Sequence, residues 1–112
     1  MRKGVSDLLD TQMKRGMIEA CVLGVLWQGE SHGYKIIKDI SPCMELSEST
    51  LYPVLRRLET SGMLKVRSVE HNGRLRKMYS ITGLGRDYVR DFLGSMDEVM
   101  GIYDFVRRQS NE

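Results

Sequence analysis

The side chains best suited to binding chemistry lie in one short segment, residues 47–62. Within it, apolar residues recur every three or four positions and predict the buried face of a helix: Leu51, Val54, Leu55 and Leu58. The other face carries hydroxyl, phenol and guanidinium groups, on Ser49, Thr50, Tyr52, Arg56 and Arg57. Such groups bind phosphates and base edges. Because a polar face is also the usual solvated face of a helix, the segment needs its neighbours to indicate nucleic-acid binding.

The ends of this helix are marked clearly. Ser47 is a good N-cap, since its hydroxyl accepts a free backbone N–H of the first turn. Gly62 is a good residue to follow the helix, because it enters the left-handed conformation without a Cβ clash. Tyr52 has two interpretations, a groove contact or a packed core tyrosine.

A basic hairpin follows. Residues 63–82 hold five basic side chains against one acidic side chain, in a chain whose net charge is only +2. Asn72-Gly73 predicts a tight turn that places Leu64 opposite Ile81. The basic side chains of the tip and returning strand are predicted to contact phosphates, with a solvated hairpin tip as the alternative: Arg74, Arg76 and Lys77.

Two helices are predicted before the segment. Residues 13–27 are apolar nearly all round and predict a helix buried on several sides. Ser31 is expected to cap a second helix, residues 33–40, whose first turn would offer Tyr34, Lys35 and free backbone N–H groups to a phosphate. Helix, turn, helix and basic hairpin form the order of a winged helix-turn-helix.

The C-terminal segment predicts one long helix, from about residue 83 to residue 108. Its apolar positions alternate steps of three and four, an a/d seam of Val89, Phe92, Met96, Val99, Tyr103 and Val106. We expect this seam to form a homodimer interface, with folding back onto its own domain as the alternative. The methionine and aromatic side chains of this interface, including Met100 on the flank of the seam, are also expected to line a pocket for a planar apolar effector: Phe92, Met96, Met100 and Tyr103.

Other classes of protein are disfavoured. The sequence has no Gly-rich phosphate loop, no H-E-x-x-H motif and no Ser/His/Asp set, so neither an enzyme nor a cofactor is predicted. Cys21 and Cys43 lack metal-site spacing, so no metal is expected, and reduced thiols are favoured over a redox pair. No apolar run reaches membrane-spanning length, and the N-terminus lacks a signal-peptide pattern, which predicts a cytoplasmic protein.

Several motifs resemble the PadR family of transcriptional regulators. They are His32-Gly33-Tyr34-Lys35, Thr50-Leu51-Tyr52-Pro53, Arg76-Lys77-Met78-Tyr79 and Thr82 with Gly85. The family often has Tyr where Met78 stands. The single C-terminal helix resembles the smaller subgroup, in which that helix builds the dimer. The resemblance implies a roughly palindromic operator, repression relieved by an effector, a reading helix in the major groove, and a hairpin along the backbone or minor groove.

The predicted fold is mainly α with a small β-hairpin, a winged helix-turn-helix plus a long C-terminal helix. Residues 1–82 are expected to form the DNA-binding domain and residues 83–112 the dimerisation helix. The predicted function is a sequence-specific, dimeric, DNA-binding repressor. A winged helix that binds another protein in a larger assembly is the alternative, and an apolar patch on the hairpin would favour it.

Overall fold

The computed structural model describes residues 11–111. The beginning of the predicted DNA-binding domain, residues 1–10, and Glu112 lie outside the described residues. The elements follow in the order α1 (Thr11–Val25), α2 (Gly33–Ile40), α3 (Glu48–Thr60), β1 (Leu64–His71), β2 (Arg74–Ile81) and α4 (Gly83–Ser110). This order confirms the mainly helical fold, with α2 and α3 as the helix-turn-helix, the hairpin as the wing, and a long C-terminal helix.

One apolar core joins α1, α2, α3, the hairpin and the beginning of α4. Each helix contributes side chains at the predicted helical spacing. Its least exposed members are Val22, Leu23, Leu26, Ile36, Ile40, Leu51, Leu55 and Leu58. The four predicted inward residues of α3 are all buried, so its polar face is left on the surface.

Side-chain caps begin α2, α3 and α4. Ser47 accepts a hydrogen bond from the Thr50 amide at 3.2 Å, and Thr82 accepts one from the Gly85 amide at 3.1 Å. The first of these confirms the prediction for α3. The prediction that Ser31 caps α2 is wrong, because His32 is the cap and its Nδ1 accepts from the Lys35 amide at 3.5 Å.

Ser31 is drawn into the hairpin instead. Its backbone pairs with Tyr79 of β2 through two hydrogen bonds, with N···O distances of 3.0 Å and 2.7 Å. Beside this bridge, Arg67 of β1 donates from both Nε and Nη2 to the carboxylate of Glu30. The wing is therefore tied to the residues that lead directly into α2.

The hairpin has the predicted register. Leu64 lies opposite Ile81, and Val66 lies opposite Tyr79. Asn72 and Gly73 have φ values of 52° and 76°, which are the positive angles that a type I′ turn requires. The strands extend to the turn itself, so the basic tip belongs to a continuous two-stranded ribbon.

α4 leaves the core after about two turns. Gly85 and Val89 are its buried residues, and every described residue from Asp97 onward is exposed. A helix of 28 residues is about 42 Å long, so much of α4 projects beyond the core. The second half of α4 therefore does not fold back on its own domain, which was the alternative to a dimer interface.

No helix among residues 11–111 combines the length and apolarity that crossing a membrane requires.

Candidate nucleic-acid interface

A cleft of about 660 Å³ lies between the beginning of α2, the side of α3 and the wing. Tyr34 and Tyr52 line its helical side, and Arg74, Arg76 and Lys77 line its wing side. All five residues were predicted to bind DNA. They belong to two segments of the chain, the two helices and the wing, and Arg74 follows Tyr52 by 22 residues. The pairing of Ser31 with Tyr79 brings the two segments together, because it places β2 directly beside the N-terminus of α2.

The N-terminus of α3 presents a cluster of hydroxyl groups. The Ser47 hydroxyl lies 2.9 Å from that of Ser49 and 3.1 Å from that of Thr50. All three residues are exposed. Hydroxyl groups both donate and accept, so this cluster can exchange its internal hydrogen bonds for bonds to phosphate or base edges.

The two adjacent arginines of α3 face different surroundings. Arg56 is exposed, whereas Arg57 is half-buried with its Nε 3.5 Å from Oε2 of Glu19 on α1. The other carboxylate oxygen of Glu19 accepts a hydrogen bond from the Tyr88 hydroxyl of α4 at 3.1 Å. Glu19 therefore joins α3 to α4. Arg57, which the sequence placed among the DNA contacts, lies in this internal network.

The beginning of α2 places two predicted contact residues on the surface. Tyr34 is 69% exposed, and Lys35 forms an exposed ion pair of 2.8 Å with Asp39. An exposed pair at this spacing is weak, so the Lys35 ammonium remains available to an incoming phosphate. Tyr52 is 40% exposed, which is intermediate between the groove contact and the core tyrosine that the sequence allowed.

His32 lies where the two walls of the cleft meet. Partial burial lowers the pKa of His32 from its ordinary value of 6.5, and the nearby charges of Arg76, His71 and Lys35 lower it further. A neutral imidazole keeps Nδ1 as the acceptor that caps α2. The same nearby cations that disfavour protonation of His32 would favour the binding of an anion in the cleft.

The seam of α4 divides into two parts. Val89 is buried and Phe92 and Met96 are half-buried, whereas Val99, Tyr103 and Val106 are about half exposed. Two further exposed apolar residues, Ile102 and Phe105, lie outside the predicted a/d seam. Sequence periodicity missed them because a heptad pattern assigns only one face of the helix.

A second, apolar groove of about 350 Å³ lies between α1 and α4. Phe92 and Leu93 line one side, and Cys21, Gly24 and Trp27 line the other. Of the four residues predicted for an effector pocket, only Phe92 lines this groove, and Met96, Met100 and Tyr103 lie farther along α4. Trp27, which sequence analysis did not select, lies beneath the guanidinium groups of Arg86 and Arg90, 4.5 Å and 5.4 Å from its ring centroid.

The two cysteines approach each other. Cys21 is half-buried, and Cys43, which follows α2 and is exposed, is close enough to influence its titration. Burial raises the pKa of Cys21, and Cys43 raises it further. Both are free thiols.

A helix-turn-helix followed by a basic wing defines the winged helix-turn-helix class of domain. The model of the transcriptional regulator PadR-like family matches residues 22–91, more than half of the chain, and the chain belongs to this family. This confirms the family resemblance. It also agrees with the prediction of a DNA-binding transcriptional regulator rather than an enzyme.

Individual relatives give the same result. The chain is 28% identical to Transcriptional regulator Rv3488 of Mycobacterium tuberculosis over 89 residues, which cover 79% of this chain and 83% of the relative. A PadR-like transcription factor from Bacteroides fragilis superposes with a TM-score of 0.77 at 30% identity, covering 86% of this chain and 95% of the other. Bacillus subtilis PadR, solved in complex with operator DNA, superposes with a TM-score of 0.65 at 27% identity, covering 69% of this chain and 46% of that one.

Proposed function

We propose that this regulator is a homodimeric repressor that binds a roughly palindromic operator in double-stranded DNA and releases it when a small aromatic effector binds. The observation that carries the DNA part is the cleft between α2, α3 and the wing. Its aromatic and cationic side chains converge there from two distant segments. The solved complex of Bacillus subtilis PadR with operator DNA supports the same use of this fold.

In this proposal α3 enters the major groove by its N-terminal end. Ser49, Thr50 and Arg56 would meet base edges and the adjoining phosphates. The first turn of α2, with Tyr34 and Lys35, would hold a phosphate at its free N–H groups. The wing would lie along the backbone or minor groove. Tyr52 would reach the groove from the cleft, and Arg57 would support α3 from behind while it remains paired with Glu19.

The wing favours DNA over a protein partner. Its exposed apolar residue, Leu75, is 80% exposed but stands between Arg74 and Arg76. A single exposed leucine, which lies opposite Glu70 in the hairpin register, is not the apolar patch that a winged protein-interaction module would need. The charge of the wing instead suits phosphates, which supply most of the affinity of protein–DNA complexes.

The exposed face of α4 supports the dimer. Val99, Met100, Ile102, Tyr103, Phe105 and Val106 are each about half exposed or more, on a helix that projects from its own core. A second copy of α4 would bury these residues in the seam and on its flanks. A two-fold symmetric dimer presents two reading helices in opposite senses, and this symmetry is the reason to expect a roughly palindromic operator.

The same interface supports an effector site. Phe92 reaches the apolar groove with Trp27, and Met96, Met100 and Tyr103 continue along the face that the partner helix would cover. A planar aromatic molecule held there would change the angle between the two α4 helices. We expect some members of a panel of planar aromatic compounds to raise the melting temperature and weaken operator binding. A panel that changes neither quantity would count against an effector at this interface.

The DNA proposal is tested by comparing the wing with α3. The probe is the duplex that wild-type protein enriches from a random-sequence library, with a scrambled duplex of the same composition beside it. Replacing Arg74 and Arg76 with Ala should weaken binding to both duplexes by similar factors, because phosphates carry no sequence information. It should also reduce the slope of log affinity against log salt by about 0.9 for each phosphate that the variant no longer binds.

Arg56→Ala should behave differently. It should cost on the order of 1–3 kcal/mol on the enriched duplex and much less on the scrambled one, because a base contact discriminates between sequences. Arg108→Ala, which removes a charge near the far end of α4, is the control and should change neither affinity. An Arg56 variant that loses the same factor on both duplexes would make Arg56 a phosphate-binding residue and would leave base reading to Ser49, Thr50 and Tyr52.

A further inference from the structure

Gly33 and Tyr52 make an unusually close contact at the edge of the cleft. Gly33 is the first residue of α2 and is buried. A Cβ atom placed on it would lie 2.5 Å from the Tyr52 hydroxyl oxygen and 3.0 Å from Cζ of the ring. Ordinary van der Waals contact begins at 3.4 Å, so a methyl group at this position would displace the hydroxyl by about 0.9 Å.

Space, rather than backbone conformation, explains the glycine. The backbone of Gly33 lies outside the left-handed region, which any side chain avoids, so alanine could adopt the same angles. Alanine is also a better helix former than glycine. What alanine cannot provide is room for the tyrosine ring.

The Tyr52 ring sits where three elements meet. It belongs to α3, its hydroxyl lies over the beginning of α2, and it lines the cleft together with Tyr79 of β2. Tyr79 in turn is paired through its backbone with Ser31, two residues before Gly33. A tyrosine has only two side-chain torsions, so a ring held at this junction acts as a spacer of nearly fixed length.

We propose that Gly33 is a positioning residue for DNA recognition: its missing side chain admits the Tyr52 ring to the junction, and the seated ring sets the distance between α3 and the beginning of α2. This inference rests on the proposed DNA-binding function. The base-reading residues of α3 and the phosphate-binding turn of α2 engage one duplex together, so their separation must match the spacing of the duplex. A methyl group on Gly33 would push the Tyr52 hydroxyl by about 0.9 Å and so displace the ring from this junction, and base contacts tolerate only a few tenths of an ångström of misplacement.

The test is a cycle of four proteins: wild type, Gly33→Ala, Tyr52→Ala and the double variant. Binding is measured on the duplex enriched by the wild type and on its scrambled counterpart, at a temperature where all four are folded. Gly33→Ala should weaken the enriched duplex about tenfold and the scrambled duplex less than about twofold, the pattern expected when base recognition is impaired. In the Tyr52→Ala background, Gly33→Ala should change neither affinity by more than about twofold, because the ring it would displace is gone.

Gly29→Ala is the matched control. It adds the same methyl group at a glycine with nothing within 4 Å of the new atom, so it should bind both duplexes as the wild type does. A loss of melting temperature without a change in affinity would assign Gly33 a purely structural role and overturn the proposal.

Two further outcomes are decisive. If Gly33→Ala costs the same factor with and without Tyr52, the methyl group acts independently of the ring, and the positioning role of the ring is refuted. If the wild type enriches no duplex and binds neither DNA, the proposed DNA-binding function fails, and this inference fails with it. The two outcomes are distinguishable, because the wild type binds the enriched duplex normally when only the role of the ring is refuted.

Discussion

Replacing each of the two adjacent arginines of α3 with alanine should have opposite effects. Arg57→Ala should lower the stability and keep the affinity for DNA, whereas Arg56→Ala should lower the affinity and keep the stability. Arg57→Ala leaves the Glu19 carboxylate, whose side chain is only 16% exposed, with the Tyr88 hydroxyl as its described hydrogen-bond partner. Glu19 keeps that hydrogen bond, and the Arg57 Nε, 3.5 Å away, makes no hydrogen bond to any described residue, so the variant loses the ion pair and the packing of the half-buried arginine stem. The Arg57 side chain is itself 38% exposed, so solvent screens the pair, and we expect a loss of about 1 kcal/mol.

That loss can be read directly as a melting temperature. For a domain of this size, each 1 kcal/mol lowers the melting temperature by about 4 °C, so Arg57→Ala should melt about 4 °C below the wild type. Far-UV circular dichroism at one fixed protein concentration is the assay, because the stability of a dimer depends on concentration. Affinity for the enriched duplex, measured well below the transition, should stay close to that of the wild type.

Arg56→Ala is the matched control, because it removes the same side chain one position away on the exposed side of the helix. It should keep the wild-type melting temperature and lose affinity for the enriched duplex. Glu19→Gln should destabilise the protein as well, and combining it with Arg57→Ala should cost less than the sum of the single changes. An Arg57→Ala protein with unchanged melting temperature and weakened DNA binding would refute the internal role of Arg57.

Three other parts of the molecule give predictions of their own. Replacing Phe92 and Val99 with Asp places charges in the proposed dimer seam and should give monomers by analytical ultracentrifugation at micromolar concentration; an intact dimer would remove that interface. Because the pKa of folded His32 lies below 6.5, the unfolded chain binds more protons, so the free energy of unfolding should fall as the pH drops from about 7.5 to about 5.5. His32→Asn, which keeps a capping side chain, should flatten this dependence in urea unfolding, and an unchanged slope would contradict it. Ellman's reagent should modify exposed Cys43 before Cys21, whose pKa is raised by burial and by Cys43, and the slow thiol should remain in Cys43→Ser; two equally fast thiols would oppose this assignment.

The predicted contact residues show which features of the cleft depend on the local sequence and which depend on residues far away in the chain. The predicted contact residues at the beginning of α2, on α3 and on the wing were chosen from residue type and helical or strand periodicity. Most of them are exposed, because an amphipathic pattern already determines which face of an element turns away from the core. Arg57 differs because Glu19, 38 positions earlier, supplies a carboxylate beside it, and no local pattern reveals a pairing of that kind.

The sequence by itself determined the elements, most of their ends and the hairpin register. These depend on interactions within a few residues: Ser47 caps the helix that follows it, and Asn72-Gly73 favours a tight turn that pairs Leu64 with Ile81. The tertiary structure alone decided how the elements meet. It replaced Ser31 with His32 as the cap of α2, because pairing with Tyr79 draws Ser31 into the sheet. The same packing set Tyr52 against Gly33 and left the end of α4 exposed, since such contacts depend on the relative positions of elements that are distant in the chain.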